Sequence, residues 1–332
     1  MVSSENLFLE PLACVDVVGK SVLERTVERL LRAGVEIVTV LASASAFNRL
    51  APFRTGFGKV MVRAVNDLRS AIDQQLSEYS QSGIEHAFVN SANAYAETDL
   101  LDLFYFHREA KQTITRTFDR EGALALSVVD CARAQQLPVG DSLSDGARNS
   151  PSYFIREYVI RLSHPRDLRQ LGEDILRGRC ERGPCGEKVR PGIWIADGAE
   201  VDRRARVVAP AYIGAGSKVL ADTLITRFSV IERGCYIDCG SVIEDSSILP
   251  GTRVGIWLDV CHAIVEGSRI LSLPRDVMIE ISDPTIIRSL VPIRRASSEI
   301  YVHAEKRAAF VGSRECFPAP DMWQLGVNPI QE

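Results

Sequence analysis

Ile195-Ala196-Asp197-Gly198-Ala199-Glu200 is followed by Val201-Asp202-Arg203-Arg204-Ala205-Arg206, and the same six-residue rhythm runs on to Leu249. Its lead positions are Ile195, Val201, Val207, Ile213, Val219, Ile225, Ile231, Ile237, Ile243 and Leu249, all branched aliphatics. Four residues beyond each lead stand Ala199, Ala205, Ala211, Ser217, Thr223, Ser229, Cys235, Ser241, Ser247 and Arg253, all small except the last. An unbroken run of ten such leads has a chance probability on the order of one in a million, so the period is real. A six-residue period of this kind specifies a left-handed parallel β-helix. Each hexad supplies one short strand and one corner of a triangular coil, with the lead residue stacked inside. Gly198, Gly216, Gly234, Gly240 and Gly251 fall at turn positions, where a positive φ is easily reached. The phase breaks after Leu249 and resumes one residue early at Val254 and Val260. Gly255–Asp259 then reads as a corner bulge or a small excursion.

The residues ahead of the repeat have a different rhythm. Ser21 and Glu24 have capping-box spacing, Leu23, Val27, Leu30 and Leu31 line one helical face, and Gly34 suits a left-handed helix end. Val35–Leu41 is a β-branched run of the kind buried on both faces. Strands follow at Lys59–Val65 and Glu85–Asn90, separated by the helical spacing of Leu68, Ile72, Leu76 and Tyr79. Thr98 caps a helix through His107, and two further strands are expected at 113–118 and 123–129. Alternating strands and helices imply a Rossmann-like parallel sheet. The fold class is therefore α/β followed by β, with an α/β domain over 1–177, a linker over 178–192, the β-helix over 193–270, and a capping strand and extended tail over 271–332. Ligands in such sheets bind beyond the carboxyl ends of strands. That points to the polar loop after Val89, with Asn90, Ser91, Asn93 and Asp99 as substrate-binding candidates; the same asparagines also suit a plain turn.

Composition sets bounds. With 332 residues, 25% charged and a net charge of −4, the chain has no basic excess for nucleic acid. No apolar stretch approaches bilayer length and no signal-like leader opens the sequence, so a cytoplasmic protein without membrane insertion is expected. The eight cysteines are scattered. Cys235 and Cys239 fit the repeat, and the Cys180/Cys185 pair lacks further ligands, so no metal site is expected.

Pro11-Leu12, Val17-Val18-Gly19-Lys20-Ser21-Val22-Leu23-Glu24 and Arg32-Ala33-Gly34-Val35 resemble the K-P-L-x-P-V-x-G-K-P-L-L-E and R-x-A-G-V phrases of sugar-1-phosphate nucleotidyltransferases. Val89-Asn90-Ser91-Ala92 falls where that family has V-N-G-D, and Asp99-Leu100 where it has D-L. Ser163-His164-Pro165-Arg166-Asp167-Leu168 resembles its closing G-T-P-E-D-Y. The resemblance spans roughly residues 8–177, and many such pyrophosphorylases carry a hexapeptide β-helix behind the same domain. It implies a role in nucleotide-sugar or polysaccharide metabolism, with a sugar phosphate or nucleotide sugar as ligand and Mg²⁺ if catalysis is intact.

The departures fall on the chemistry. The family's glycine-rich phosphate loop should precede Pro11, where ten glycine-free residues stand. Glu10 takes the place of a lysine, and the two metal-binding aspartates align with Ala92 and Arg161. Nucleotidyl transfer needs backbone N–H groups for phosphates and a divalent metal for the transferring phosphoryl group. A catalytically degenerate protein that acts by binding or regulation is therefore expected, with no cofactor. The alternative is a hexapeptide acyltransferase using acetyl-CoA, with His262 as general base. A divergent active nucleotidyltransferase is the third reading. Homo-oligomers through the β-helix or tail are expected.

Overall fold

The computed structural model describes residues 12–43, 59–134 and 152–290. Glu10 and the tail from residue 291 onward, including Tyr301, Phe310, Phe317 and Trp323, lie outside the described residues.

The described residues begin with a 3-10 turn at Leu12–Cys14 and a tight hairpin, β1 (Asp16–Val17) and β2 (Lys20–Ser21). Its turn places Val18 at φ 55° and Gly19 at φ 93°. Helix α1 (Val22–Arg32) follows with the expected cap. The Ser21 hydroxyl accepts from Glu24 N–H at 3.1 Å, while Glu24 accepts from Ser21 N–H at 2.8 Å. Gly34 sits beyond the helix at φ 92°. Loss of this reciprocal cap in Ser21→Ala is expected to cost about 1 kcal/mol, read as a shift in the thermal midpoint; no shift would show that the hairpin, not the cap, sets the helix start.

Strands β3 (Ile37–Ser43) and β4 (Lys59–Val65) pair in parallel over seven residues. Most described β3 side chains are half-buried rather than enclosed. After α2 (Leu68–Gln81), β5 (His86–Asn90), β7 (Ile114–Asp119), β8 (Gly122–Asp130) and β9 (Ser152–Phe154) form a sheet in the order β5-β8-β7-β9. Here the structure departs from an all-parallel sheet, because β8 is antiparallel to both β5 and β7, and only β7–β9 is parallel. Two residues, Arg120 and Glu121, join β7 to β8, too few for the crossover a parallel pair requires. The front half is thus a mixed α/β body. Helix α3 (Leu100–Ala110) starts one residue later than the sequence suggests: Asp99, not Thr98, is its cap and accepts from Leu101 and Asp102 N–H. The short strands β6 (Ala94–Ala96) and β10 (Val159–Arg161) pair antiparallel. Helix α4 (Pro165–Leu176) ends this half.

From Ile193 the chain winds through three sheets in rotation. The first carries Ile193–Ile195, Ala211–Ile213, Ser229–Ile231, Ser247–Ile248 and Ala263–Glu266, the second runs from Glu200–Val201 to Thr252–Val254, and the third from Arg206–Val207 to Asp259–Cys261. Successive strands are parallel, with Ile195 beside Ile213 and Ile213 beside Ile231. One circuit therefore takes 18 residues, three hexads. Ile213, Ile225, Ile231, Ile237 and Ile243 are fully buried. The small residues Ser217, Thr223, Ser229, Cys235 and Ser241 are at most 1% exposed, and their hydroxyls, with the Cys235 thiol, donate to carbonyls of the next coil where the interior narrows.

The phase break lies earlier than the hexad reading places it. Ile231 pairs with Ile248, not Leu249, and Ile248 is fully buried in the stack. The cause is a corner. Arg227 and Phe228 together turn the chain at φ 55° and 60°, whereas Asp245 alone makes the equivalent turn at φ 47° and His262 at φ 49°. One residue fewer at the corner advances everything behind it. Thr252, rather than Arg253, then takes the small interior position and is fully buried. Gly255–Asp259 is no excursion: Val254 and Val260 remain one hexad apart, with Trp257 turning the corner at φ 54° against Gly240.

Antiparallel strands close two faces at the far end, Arg269–Ser272 with Val277–Glu280 on the first and Ile287–Ser289 on the second. The α/β half sits against the first face. Val17, Val18, Leu168, Leu171 and Ile175 share one apolar cluster with Tyr212, Val230, Leu249, Ile264 and Leu271.

Candidate functional site

Among the described residues, two places gather chemistry, one in each half.

In the α/β half, pairing of β10 with β6 sets Arg161 opposite Ala94, and Leu162 N–H donates to Asn93 O at 2.7 Å. Residue 161 is thereby brought beside the end of the Asn90–Asn93 loop, so Ala92 and Arg161 occupy neighbouring stretches of backbone. Arg161 does not face the loop as an open cation. Its guanidinium holds Asp119 through two bonds of 2.6 and 2.8 Å and Glu121 at 3.0 Å. The bidentate contact pins the Asp119 carboxyl below the usual carboxylate range. Asn90, Ser91 and Asn93 are exposed, and Ser91 is anchored by its N–H to Ala125 O at 2.9 Å. Asp99 is also exposed, but its carboxylate is spent on the α3 cap. A phosphate-holding loop built from these residues would have to rely on backbone N–H groups and the asparagine amides.

In the coiled half, His262 stands at the corner between the third and first faces. Its Nδ1 lies 2.6 Å from Asp245 Oδ2, one coil back at the same corner. Asp245 in turn accepts from Arg169 of α4 at 2.7 Å through its other oxygen. Arg169, with a 4% exposed side chain, also donates to Phe228 O at 2.6 Å. The imidazole is 46% exposed. This is a base–orienter arrangement. Sequence reading finds His262 but not Asp245 or Arg169. The signal was the shortened corner, since a regular 18-residue step from Asp245 leads to Ala263.

The described cysteines are free thiols. Burial pushes Cys180 and Cys235 up to about 12, which leaves both as uncharged packing groups. Among the described residues no three His, Cys, Asp or Glu side chains are grouped to hold a metal, and no helix is long and apolar enough to cross a membrane.

No family model matches the chain, and no curated protein does either. Among solved structures, HddC from Yersinia pseudotuberculosis is similar at 14% identity and a TM-score of 0.41, over 50% of this chain and 91% of that one. At that score the likeness carries no argument about function.

Proposed function

We propose that this protein is a nucleotidyltransferase-like, catalytically degenerate member of sugar-nucleotide or polysaccharide metabolism, acting by binding a sugar phosphate or nucleotide sugar or by regulating a partner. The observation that supports it is the fate of Arg161. The position aligned with a metal-binding aspartate carries a cation bound to Asp119 and Glu121, beside a loop whose other aligned aspartate is Ala92. A fixed guanidinium there repels Mg²⁺ and engages the two carboxylates that stand beside it. The coil behind this domain is inferred to be a left-handed hexapeptide β-helix, on its six-residue repeat and small fifth residues, and to serve as the assembly platform of a homo-oligomer.

Incubation of the purified protein with each nucleoside triphosphate, sugar 1-phosphates and Mg²⁺ is expected to release pyrophosphate no faster than a blank. A nucleotide sugar or sugar phosphate is expected to raise the thermal midpoint. Robust turnover would sink the degenerate reading. Arg161→Asp alone is expected to leave turnover absent, since Ala92 still lacks the second carboxylate.

A second reading, acyl transfer from acetyl-CoA, draws on the 2.6 Å His262–Asp245 contact. The imidazole would take the proton of an acceptor hydroxyl or amine as it attacks the thioester carbonyl, with coenzyme A thiolate leaving. Acetyl transfer cut about 100-fold or more by His262→Ala, in line with the usual share of a general base, and lowered by Asp245→Asn would favour it over the first.

A further inference from the structure

A cavity of about 200 Å³ lies where the β1–β2 turn, the start of α1, the linker and one corner of the coil meet. Neither reading above uses it. The coil forms one wall by its own period. Asp197, Ala215 and Arg233 take equivalent corner positions, each two residues after Ile195, Ile213 and Ile231, which pair in register. Gly216 N–H donates to Asp197 O at 3.0 Å and Gly234 N–H to Ala215 O at 2.8 Å, so the three corners are stacked. Neighbouring strands lie about 4.8 Å apart, which sets the backbones of an acid and a base roughly 10 Å apart in one column. The residue between them is alanine, and its short side chain leaves the notch open.

The polar groups around this space are not spent on one another. Among the described residues no ion pair joins Asp197 to Arg233, and the exposed Asp197 carboxylate accepts no hydrogen bond. Arg233 meets Asp16 through Nε at 3.0 Å, and the guanidinium also borders the cavity. Tyr212 lines the same wall. It is 1% exposed, yet its hydroxyl makes no hydrogen bond among the described residues. Burial first, and the Glu232 charge second, hold this phenol above its ordinary range, so it stays protonated and can donate. Gly19 makes room for it, because a Cβ there would collide with the hydroxyl. A buried hydroxyl without a partner is unfavourable, and a ligand oxygen would satisfy it. On the α1 side, Lys20 and Glu28 satisfy each other at 2.5 Å, and Glu24 is engaged by the Ser21 cap.

A neutral solute leaves both ends of the column unmatched. A simple anion or cation is attracted at one end and repelled at the other. We propose that the cavity binds a small zwitterion, an amino acid, with its carboxylate on Arg233 and the Tyr212 hydroxyl and its ammonium on Asp197. The volume is below the roughly 300–1,000 Å³ of sites for drug-sized ligands, which suits an amino acid and not a nucleotide sugar. The ligand stands between the α/β half and the coil, so its binding strengthens their contact.

Calorimetric titration of the full chain tests this with glycine, L-alanine, L-serine and L-valine as probes. Each is compared with its N-acetyl form, which keeps only the negative charge, and its amide, which keeps only the positive one. At least one free amino acid is expected to bind saturably, and both of its capped forms at least about tenfold more weakly, as loss of a charged hydrogen bond implies. Tyr212→Phe removes a hydroxyl that holds nothing else and is expected to weaken binding about tenfold. Asp197→Asn is expected to weaken the free amino acid similarly and to leave its N-acetyl form unchanged. Ala215→Leu fills the notch and is expected to abolish binding. The proposal is overturned if no free amino acid binds, if a capped form binds as tightly as its parent, or if Ala215→Leu leaves affinity intact. Asp197 is exposed and keeps the test decisive if the buried Tyr212 variant does not fold.

Discussion

Ile237→Ala is expected to cost about 2–5 kcal/mol of unfolding free energy, toward the upper end of that range. The side chain is fully buried in the stack and lies between Val219 and Val254 on its own face. Coils in such a stack touch chiefly their neighbours, so their stability sums over adjacent interfaces. A void at one level weakens the interfaces on both sides, and a triangular interior held by strand ladders has little freedom to collapse. Val201→Ala provides the contrast. It occupies the same face in the first coil but is only half-buried, so a loss below about 1 kcal/mol is expected from its smaller transfer term. Urea unfolding followed by circular dichroism distinguishes the two. Equal losses would mean that the first coil is covered in solution.

The second large effect is expected at Arg169. Its side chain is 4% exposed and makes two charge-assisted or carbonyl contacts, to Asp245 and Phe228 O, across the seam. Arg169→Ala removes those bonds and leaves the Phe228 carbonyl to find water, for a loss of about 3 kcal/mol. Asp245 is 31% exposed and can be rehydrated, which keeps the cost below that of a fully enclosed ion pair. Arg169→Met keeps much of the aliphatic stem, so any difference between the two variants measures packing rather than charge. Faster proteolysis at the seam, with the coil's unfolding unchanged, is the expected pattern. A variant as stable as the parent would show that the Leu168, Leu171 and Ile175 contacts suffice by themselves.

The coil was legible because its constraint recurs: every hexad must send one branched aliphatic inward. The docking face was also written in the sequence, though less plainly. Trp194, Tyr212 and Val230 precede the leads in every third hexad, where the corresponding residues of the second face are Glu200, Lys218 and Tyr236. Those outward apolar residues are the ones that meet the α/β half. The misplacement of Leu249 arose because Ile248 and Leu249 are adjacent and both apolar, so hydrophobicity could not say which points inward. Corner length decided it, and a corner of one or two residues has no strong sequence signature when neither is glycine. In the front half, α1 was legible through its local cap, Ser21 and Glu24. Sheet direction was not, because it depends on the two-residue connection at Arg120–Glu121 and on long-range pairing. At the sites, single positions such as Arg161 and His262 could be singled out from sequence. Their partners Asp119, Glu121 and Asp245 could not, since those meetings depend on register.

The one-residue corners at Asp245 and His262 have a practical corollary. Glu244 pairs with Cys261 just before the turn, so strand register alone sets the imidazole one coil above the carboxylate, and each of the two residues turns the chain by itself. A second corner residue placed after His262, as at Arg227–Phe228, would change the turn while the strand pairing before it is kept. Loss of the contact in such an insertion would show that the single-residue turn, and not register alone, aims the ring.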